Sequence, residues 1–110
     1  MNTRQTGALG ETLAEILLQE KGYRILAKNF RCRHGEIDII AERSSIIAFV
    51  EVKTRLFASY GSGAEAVMEA KRRKIRKSAL CYLAMCERHF EAVDFQVIEI
   101  SAFHLEGLEF

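Results

Sequence analysis

Proline and tryptophan are absent from these 110 residues, and cysteine occurs only three times. Without proline the chain has few rigid turns. Cys32, Cys81 and Cys86 are odd in number and contain no CxxC pair, which excludes neither thiol chemistry nor burial but argues against a disulfide framework or a zinc knuckle. A reducing cytoplasm is the simplest setting for them. Cys81 and Cys86 fall within an apolar helical pattern, where small buried thiols are common. His34, His89 and His104 are scattered without ligand spacing and read as ordinary polar positions. Apolar runs such as Ile46 to Val50 stay far below the roughly 20 residues of a bilayer-spanning helix, so no membrane segment is expected. The polar residues 1–6 lack the apolar region of a secretory leader. A dominant charge is missing too: 16 basic against 15 acidic residues give +1, so no global field attracts a polyanion.

What is present suffices for one globule. Hydrophobic residues make up 49% of the chain and charged residues 28%, enough apolar material for a core and too little bias for disorder. A single domain over residues 1–110 is expected. Leu9, Leu13, Ile16 and Leu17 recur at helical spacing, predicting a helix over residues 6–22 that ends at Gly22 and packs on a sheet. Residues 23–29 read as a strand with Tyr23, Ile25 and Ala27 on one face. Residues 34–41 and 46–53 each alternate with period two around the polar stretch Glu42-Arg43-Ser44-Ser45, predicting a β-hairpin. Residues 54–63, with Gly61 and Gly63, read as a loop, and Ser62 to Glu65 has the spacing of a capping box opening a long helix. On that helix Met68, Ile75, Ala79, Tyr82 and Cys86 share one side, Leu83 lies at its margin, and Arg73, Arg76 and Lys77 point the other way. Residues 93–100 alternate again as a late strand.

Two features carry chemistry. Residues 71–77, Lys-Arg-Arg-Lys-Ile-Arg-Lys, hold +6 in seven positions, so the rest of the chain is acidic. Clustered bases of this kind displace the counterions of a phosphate backbone. In the predicted hairpin, alternation puts Glu36, Asp38 and Ile40 on one face, and Phe49, Glu51 and Lys53 likewise share a face. A turn centred between Ser44 and Ser45 sets Asp38 opposite Glu51 and Glu36 opposite Lys53. Directly opposed Cβ atoms are roughly 4.5 to 5.5 Å apart, so two carboxylates there destabilise the pair unless a cation compensates. Mg²⁺ or Mn²⁺ is the natural compensator, since hard cations take one or two carboxylates and keep positions open for phosphate oxygens. Lys53 would stand beside such an ion, placed to stabilise charge on a phosphoryl group or to orient an attacking water. The plainer alternative is a solvent-facing strand surface with Lys53 in a weak salt bridge.

Asp38 followed by Glu51-Val52-Lys53 resembles the PD-(D/E)xK motif of the restriction-endonuclease-like superfamily, although Ile37 stands where that motif has proline. A longer string is more specific: Gly7-x-x-Gly10-Glu11-x-x-Ala14, Asn29-x-Arg31, Gly35 to Ala41, Phe49 to Lys53 with Arg55, then Glu65-Ala66-Val67 and Lys71. It resembles the YraN family of small bacterial proteins, whose fold is similar to that of archaeal Holliday junction resolvases, and the likeness spans nearly the whole chain. The resemblance implies an α/β, restriction-endonuclease-like domain, a mixed central β-sheet flanked by α-helices. It implies Asp38 and Glu51 as metal ligands, Lys53 as catalytic lysine, and Glu11 as a further acidic member from the first helix, a residue that lies off the Leu9/Leu13/Ile16 stripe.

The expectation is therefore a Mg²⁺- or Mn²⁺-dependent nuclease acting on DNA, with branched or damaged structures among its candidate substrates. Arg55, Lys71, Arg72, Arg73, Lys74, Arg76 and Lys77 would hold the backbone, and by analogy with junction resolvases the chain would act as a homodimer. The rival is a nucleic-acid-binding or assembly module that keeps the fold and the basic helix without chemistry.

Overall fold

A computed structural model describes the backbone of residues 3–55 and 64–101, with side chains for residues 4–54 and 69–101. The element order is α1 (Thr3–Glu20), β1 (Arg24–Cys32), β2 (Gly35–Arg43), β3 (Ile46–Arg55), α2 (Ala64–Met85) and β4 (Ala92–Ser101). The four strands form one sheet in the order β1-β2-β3-β4, antiparallel except for the parallel β3/β4 pair. This is the mixed α/β architecture expected, compatible with a restriction-endonuclease-like fold. No described helix is long and apolar enough to cross a membrane.

Ala8, Leu9, Glu11, Leu13, Ala14 and Glu15 are good helix formers, and α1 runs through them to a left-handed stop. Gly22 has φ of 89°, its N–H donates to the Gln19 carbonyl at 3.0 Å, and the Tyr23 N–H donates to the Leu18 carbonyl at 3.0 Å. That is a Schellman closure, and it is the stop expected at Gly22. The buried face of α1 differs from expectation. Thr6, Gly10, Ala14 and Leu18 lie against the sheet, whereas Leu9, Leu13, Ile16 and Leu17 are 37–47% exposed. Small residues win the inner row because they let the helix come close: a Cβ on Gly10 would sit 1.7 Å from Thr54 Oγ1.

The hairpin forms in the expected register. Ser44 and Ser45 both take positive φ, 53° and 63°, the two-residue turn whose twist suits paired strands. The ladder then runs from Arg43/Ile46 through Ala41/Ala48 to Ile39/Val50. β1 is longer than expected and its faces are interrupted. A bulge between Ile25 and Ala27 puts Ile25 with the α1-side core and Ala27 with the α2-side core, so the two do not share a face. A second irregularity follows where Asn29 takes φ of 53° and the pairing skips Asp38. In consequence Ile37 packs with Ile40, Ile47, Phe49 and Ala79, while Ile39 and Ala41 pack on the other side with Ala14, Leu18, Ala48 and Val50. The expected common face of Ile37, Ile39 and Ala41 is thus broken at Asp38.

α2 covers the second core with Ile75, Ala79, Tyr82 and Leu83, as its wheel predicts, and the Tyr82 ring meets Phe30 edge-on at 5.3 Å. Gly61, Ser62 and Gly63 lie outside the described residues, and Glu65 and Met68 outside the described side chains. Thr54 and Arg55 extend β3 instead of opening the loop expected at residue 54.

Candidate functional site

Beyond Ile39 and Val50 the hairpin partners separate. The Gly35 end of β2 stays paired with β1, through Ile37/Phe30 and Glu36/Arg31, while Glu51 to Arg55 of β3 stay paired with β4. The sheet therefore forks at Asp38 and Glu51, and α2 closes one side of the fork. The resulting cleft, about 680 Å³, is walled by Gly35, Glu36, Asp38 and Glu51 from the strands and by Ala70, Lys71, Lys74 and Ile75 from the helix.

Register explains the fork's chemistry. Asp38 does not complete a ladder pair with Glu51; its Oδ2 instead accepts a hydrogen bond from the Val52 N–H at 2.7 Å, replacing the missing strand partner. The predicted Glu36/Lys53 opposition is not formed. Glu36 pairs with Arg31, whose Nε lies 3.6 Å from its carboxylate, and Lys53 pairs with Glu99 in the parallel ladder.

The acids of the fork feel one another. Burial pushes the Asp38 carboxyl up to about 6, the Val52 N–H opposes that rise, and the charges of Glu51, Glu11 and Glu36 add to it. Glu51 is only 8% exposed, and its Oε1 is met at 2.6 Å by Lys71 Nζ from α2. A carboxylate so enclosed needs a charged partner, and the helix supplies one.

Of the residues singled out from sequence, Asp38, Glu51, Lys71 and Lys74 come together in the cleft. Glu11 lies near enough for its charge to act on Asp38. The true inner row of α1 explains why the spacing argument passed over it: Glu11 follows Gly10, which touches β3 at Thr54, so it flanks the sheet-facing row and not the exposed leucine stripe. Lys53 is half-buried one alternation beyond Glu51 but is not part of the cleft wall. Arg72, Arg73, Arg76 and Lys77 are exposed, and Arg76 Nη2 reaches Glu69 Oε1 at 3.4 Å. The basic run is thus divided, Lys71 and Lys74 turned to the cleft and the remainder to solvent. The Arg55 side chain lies outside the described ones. Sequence reasoning missed Gly35 and Glu36 as cleft residues, although Glu36 shares an alternation with Asp38; it also missed the direct Lys71–Glu51 pair, which a charge run conceals.

The donor set suits one hard divalent cation. Two carboxylates, one of them pushed up by burial and further by neighbouring acids, are the number Mg²⁺ or Mn²⁺ takes from protein when water and phosphate oxygens fill the rest. Among the described residues no group of three or more His, Cys, Asp or Glu side chains converges as an all-protein cage.

Relatives share this sequence over most of its length. The chain is 43% identical over 97 residues to a UPF0102 protein of Syntrophomonas wolfei, covering 88% of this chain and 84% of the relative. It is 47% identical over 103 residues to one of Pelobacter propionicus, covering 90% and 72%, and 41% identical over 107 residues to one of Clostridium perfringens, covering 97% and 87%. The profile of the family described as uncharacterised protein family UPF0102 matches residues 10–100. With the string from Gly10 through Lys71 in place and the match spanning all but the last residue of the forked sheet, the chain belongs to the UPF0102, or YraN, family.

Proposed function

We propose that the chain is a metal-dependent nuclease that hydrolyses DNA phosphodiester bonds, with branched or damaged DNA as the substrate class. The observation that carries this reading is the fork itself: Asp38 and Glu51 from adjacent strands wall one cleft with Lys71 and Lys74 of α2. Carboxylates that crowd one another favour a cation, and lysines at the same opening favour a phosphate.

Asp38 and Glu51 would hold one Mg²⁺ or Mn²⁺, which when bound supplies charge neutralisation at the scissile phosphate and acidifies water. The Val52 N–H fixes the Asp38 carboxylate so that it does not have to be ordered on binding. Lys53, on the same alternation as Glu51, would steady the attacking water or the charge that builds on phosphate oxygens. Lys74 and the outer bases of α2 would carry the flanking backbone.

Cleavage of linear, single-stranded, flapped and four-way DNA in Mg²⁺ or Mn²⁺, resolved on denaturing gels, tests the proposal. Metal-dependent products are expected, and Lys53→Ala is expected to slow their formation by about 10²- to 10³-fold. No cutting of any substrate by the wild-type chain, or equal cutting by Lys53→Ala, refutes it. The Lys71–Glu51 pair gives the non-catalytic rival its own support, because an ammonium already balances one of the two acids. That rival is a nucleic-acid-binding module whose DNA affinity is indifferent to EDTA.

A further inference from the structure

Glu51 stands at the fork, almost buried, while the Lys71 side chain that neutralises it is 51% exposed. One end of the ion pair is fixed in β3 and the other is the tip of a flexible four-carbon stem on α2. Asp38, the second acid, is held by a main-chain N–H. The pair is therefore asymmetric. Glu51 cannot leave the cleft, whereas Lys71 reaches it from a helix that also borders open solvent.

We propose that Lys71 is an exchangeable counter-ion: it occupies Glu51 until a divalent cation arrives, and the cation's charge then expels it toward the phosphate of the substrate. This rests on Asp38 and Glu51 being the cation's ligands. A dication bound to Glu51 and an ammonium on the same carboxylate repel at contact distance. A phosphate oxygen in the same cleft is the nearest chemical class able to accept the displaced charge. Metal loading and phosphate capture are thus coupled through one lysine, and Lys71 acts as a positioning residue whose cost is a weaker affinity for metal alone.

Mn²⁺ binding, read from the electron paramagnetic resonance of the free ion without DNA, separates these roles. Lys71→Met removes the competitor and is expected to tighten Mn²⁺ binding on the order of tenfold, equivalent to about 1.4 kcal/mol. Lys71→Arg keeps the charge and is expected to stay near wild type. Lys21→Met, which removes the same charge from an exposed position just beyond α1, controls for long-range electrostatics and is expected to change little. Because Lys71→Met leaves Glu51 without its ammonium, thermal unfolding with and without Mn²⁺ is read in parallel; Mn²⁺ should raise the midpoint more in Lys71→Met than in wild type. Binding that Lys71→Met leaves unchanged or weakens overturns the exchange while leaving the metal site standing. No Mn²⁺ binding by wild type or by Lys71→Met overturns the metal site and the exchange together.

Discussion

At Asp38 two opposing influences meet. The Val52 N–H favours the charged carboxylate, while burial and the charges of Glu51, Glu11 and Glu36 favour the neutral acid, and the second set prevails with a value of about 6. The folded chain therefore binds a proton at Asp38 more tightly than the unfolded chain, whose carboxyl keeps its ordinary value of 3.8. Between those values the native state carries more protons than the unfolded state, so this group's contribution to stability falls as pH rises from about 4 to about 6. Asp38→Asn keeps an oxygen for the Val52 N–H and removes the charge. It is expected to flatten that slope and to stabilise the metal-free protein at pH 7 by on the order of 1 kcal/mol, allowing for solvent screening of a partly exposed carboxyl. Urea denaturation in EDTA at pH 4, 5, 6 and 7 checks this; parallel slopes for variant and wild type exclude it. A carboxylate that lowers stability at neutral pH is the kind of local cost that functional sites carry. Sequence alternation brought Asp38 and Glu51 to one end of the hairpin, because period two fixes which face a strand residue takes, but it grouped Lys53 with them, and Lys53 lies outside the cleft wall. It could not place Lys71, since nothing in a run of seven positions says which base turns inward.

Among the elements, α1 shows most clearly where a sequence pattern and packing diverge. Four large aliphatics at helical spacing outweigh glycine and alanine on any hydrophobic wheel, yet the sheet accepts the row Thr6, Gly10, Ala14 and Leu18. Close approach decides it, since Gly10 abuts Thr54 and the helix comes near enough to bring Glu11 within electrostatic reach of Asp38. Gly10→Ala places a methyl at 1.7 Å from Thr54 Oγ1 and 2.9 Å from its Cβ, a clash that a short branched side chain cannot relieve by swinging away. The variant is expected to lose about 1 to 3 kcal/mol, despite the better helix propensity of alanine. Adding Thr54→Gly should recover much of the loss. Chemical denaturation of the single and double variants measures both; a Gly10→Ala protein as stable as wild type would show that α1 sits farther from β3. The hairpin register, by contrast, was legible from the turn out to Ile39/Val50, because two amphipathic strands and a short polar turn permit one register that buries both apolar sets; the separation beyond that pair was not. The bulge at Ile25/Ala27 and the positive φ at Asn29 were not, because no glycine or alternation break announces them; the second lies opposite Asp38, where Ile37 turns away from Ile39.

For the molecule as a whole, charge placement matters more than charge sum. A net +1 gives no long-range attraction to DNA, so affinity has to come from the local array on α2. Lys71 is engaged with Glu51 and Arg76 with Glu69, which leaves Arg72, Arg73 and Lys77 as the outer bases for phosphate contact and Lys74 as the base at the cleft. Each phosphate contact releases about 0.9 of a counterion, so log affinity for duplex DNA should fall linearly with log salt concentration. Replacing Arg72 and Arg73 together by alanine is expected to reduce that slope by about 2 and to weaken binding alike for every sequence. Arg76→Ala should change the slope less, because its guanidinium already shares charge with a carboxylate. Arg24→Ala provides the comparison at the other end of the sheet: Arg24 pairs with Glu42 at 2.9 Å, and about seven strand residues, roughly 20 Å, separate Glu42 from the Gly35 end of β2. Fluorescence anisotropy between 50 and 300 mM salt, a range of about the span over which such contacts dissociate, reads the four slopes. Equal slopes for wild type and the Arg72/Arg73 double variant would place the DNA-binding face elsewhere than α2, and with it the path by which a phosphodiester enters the fork.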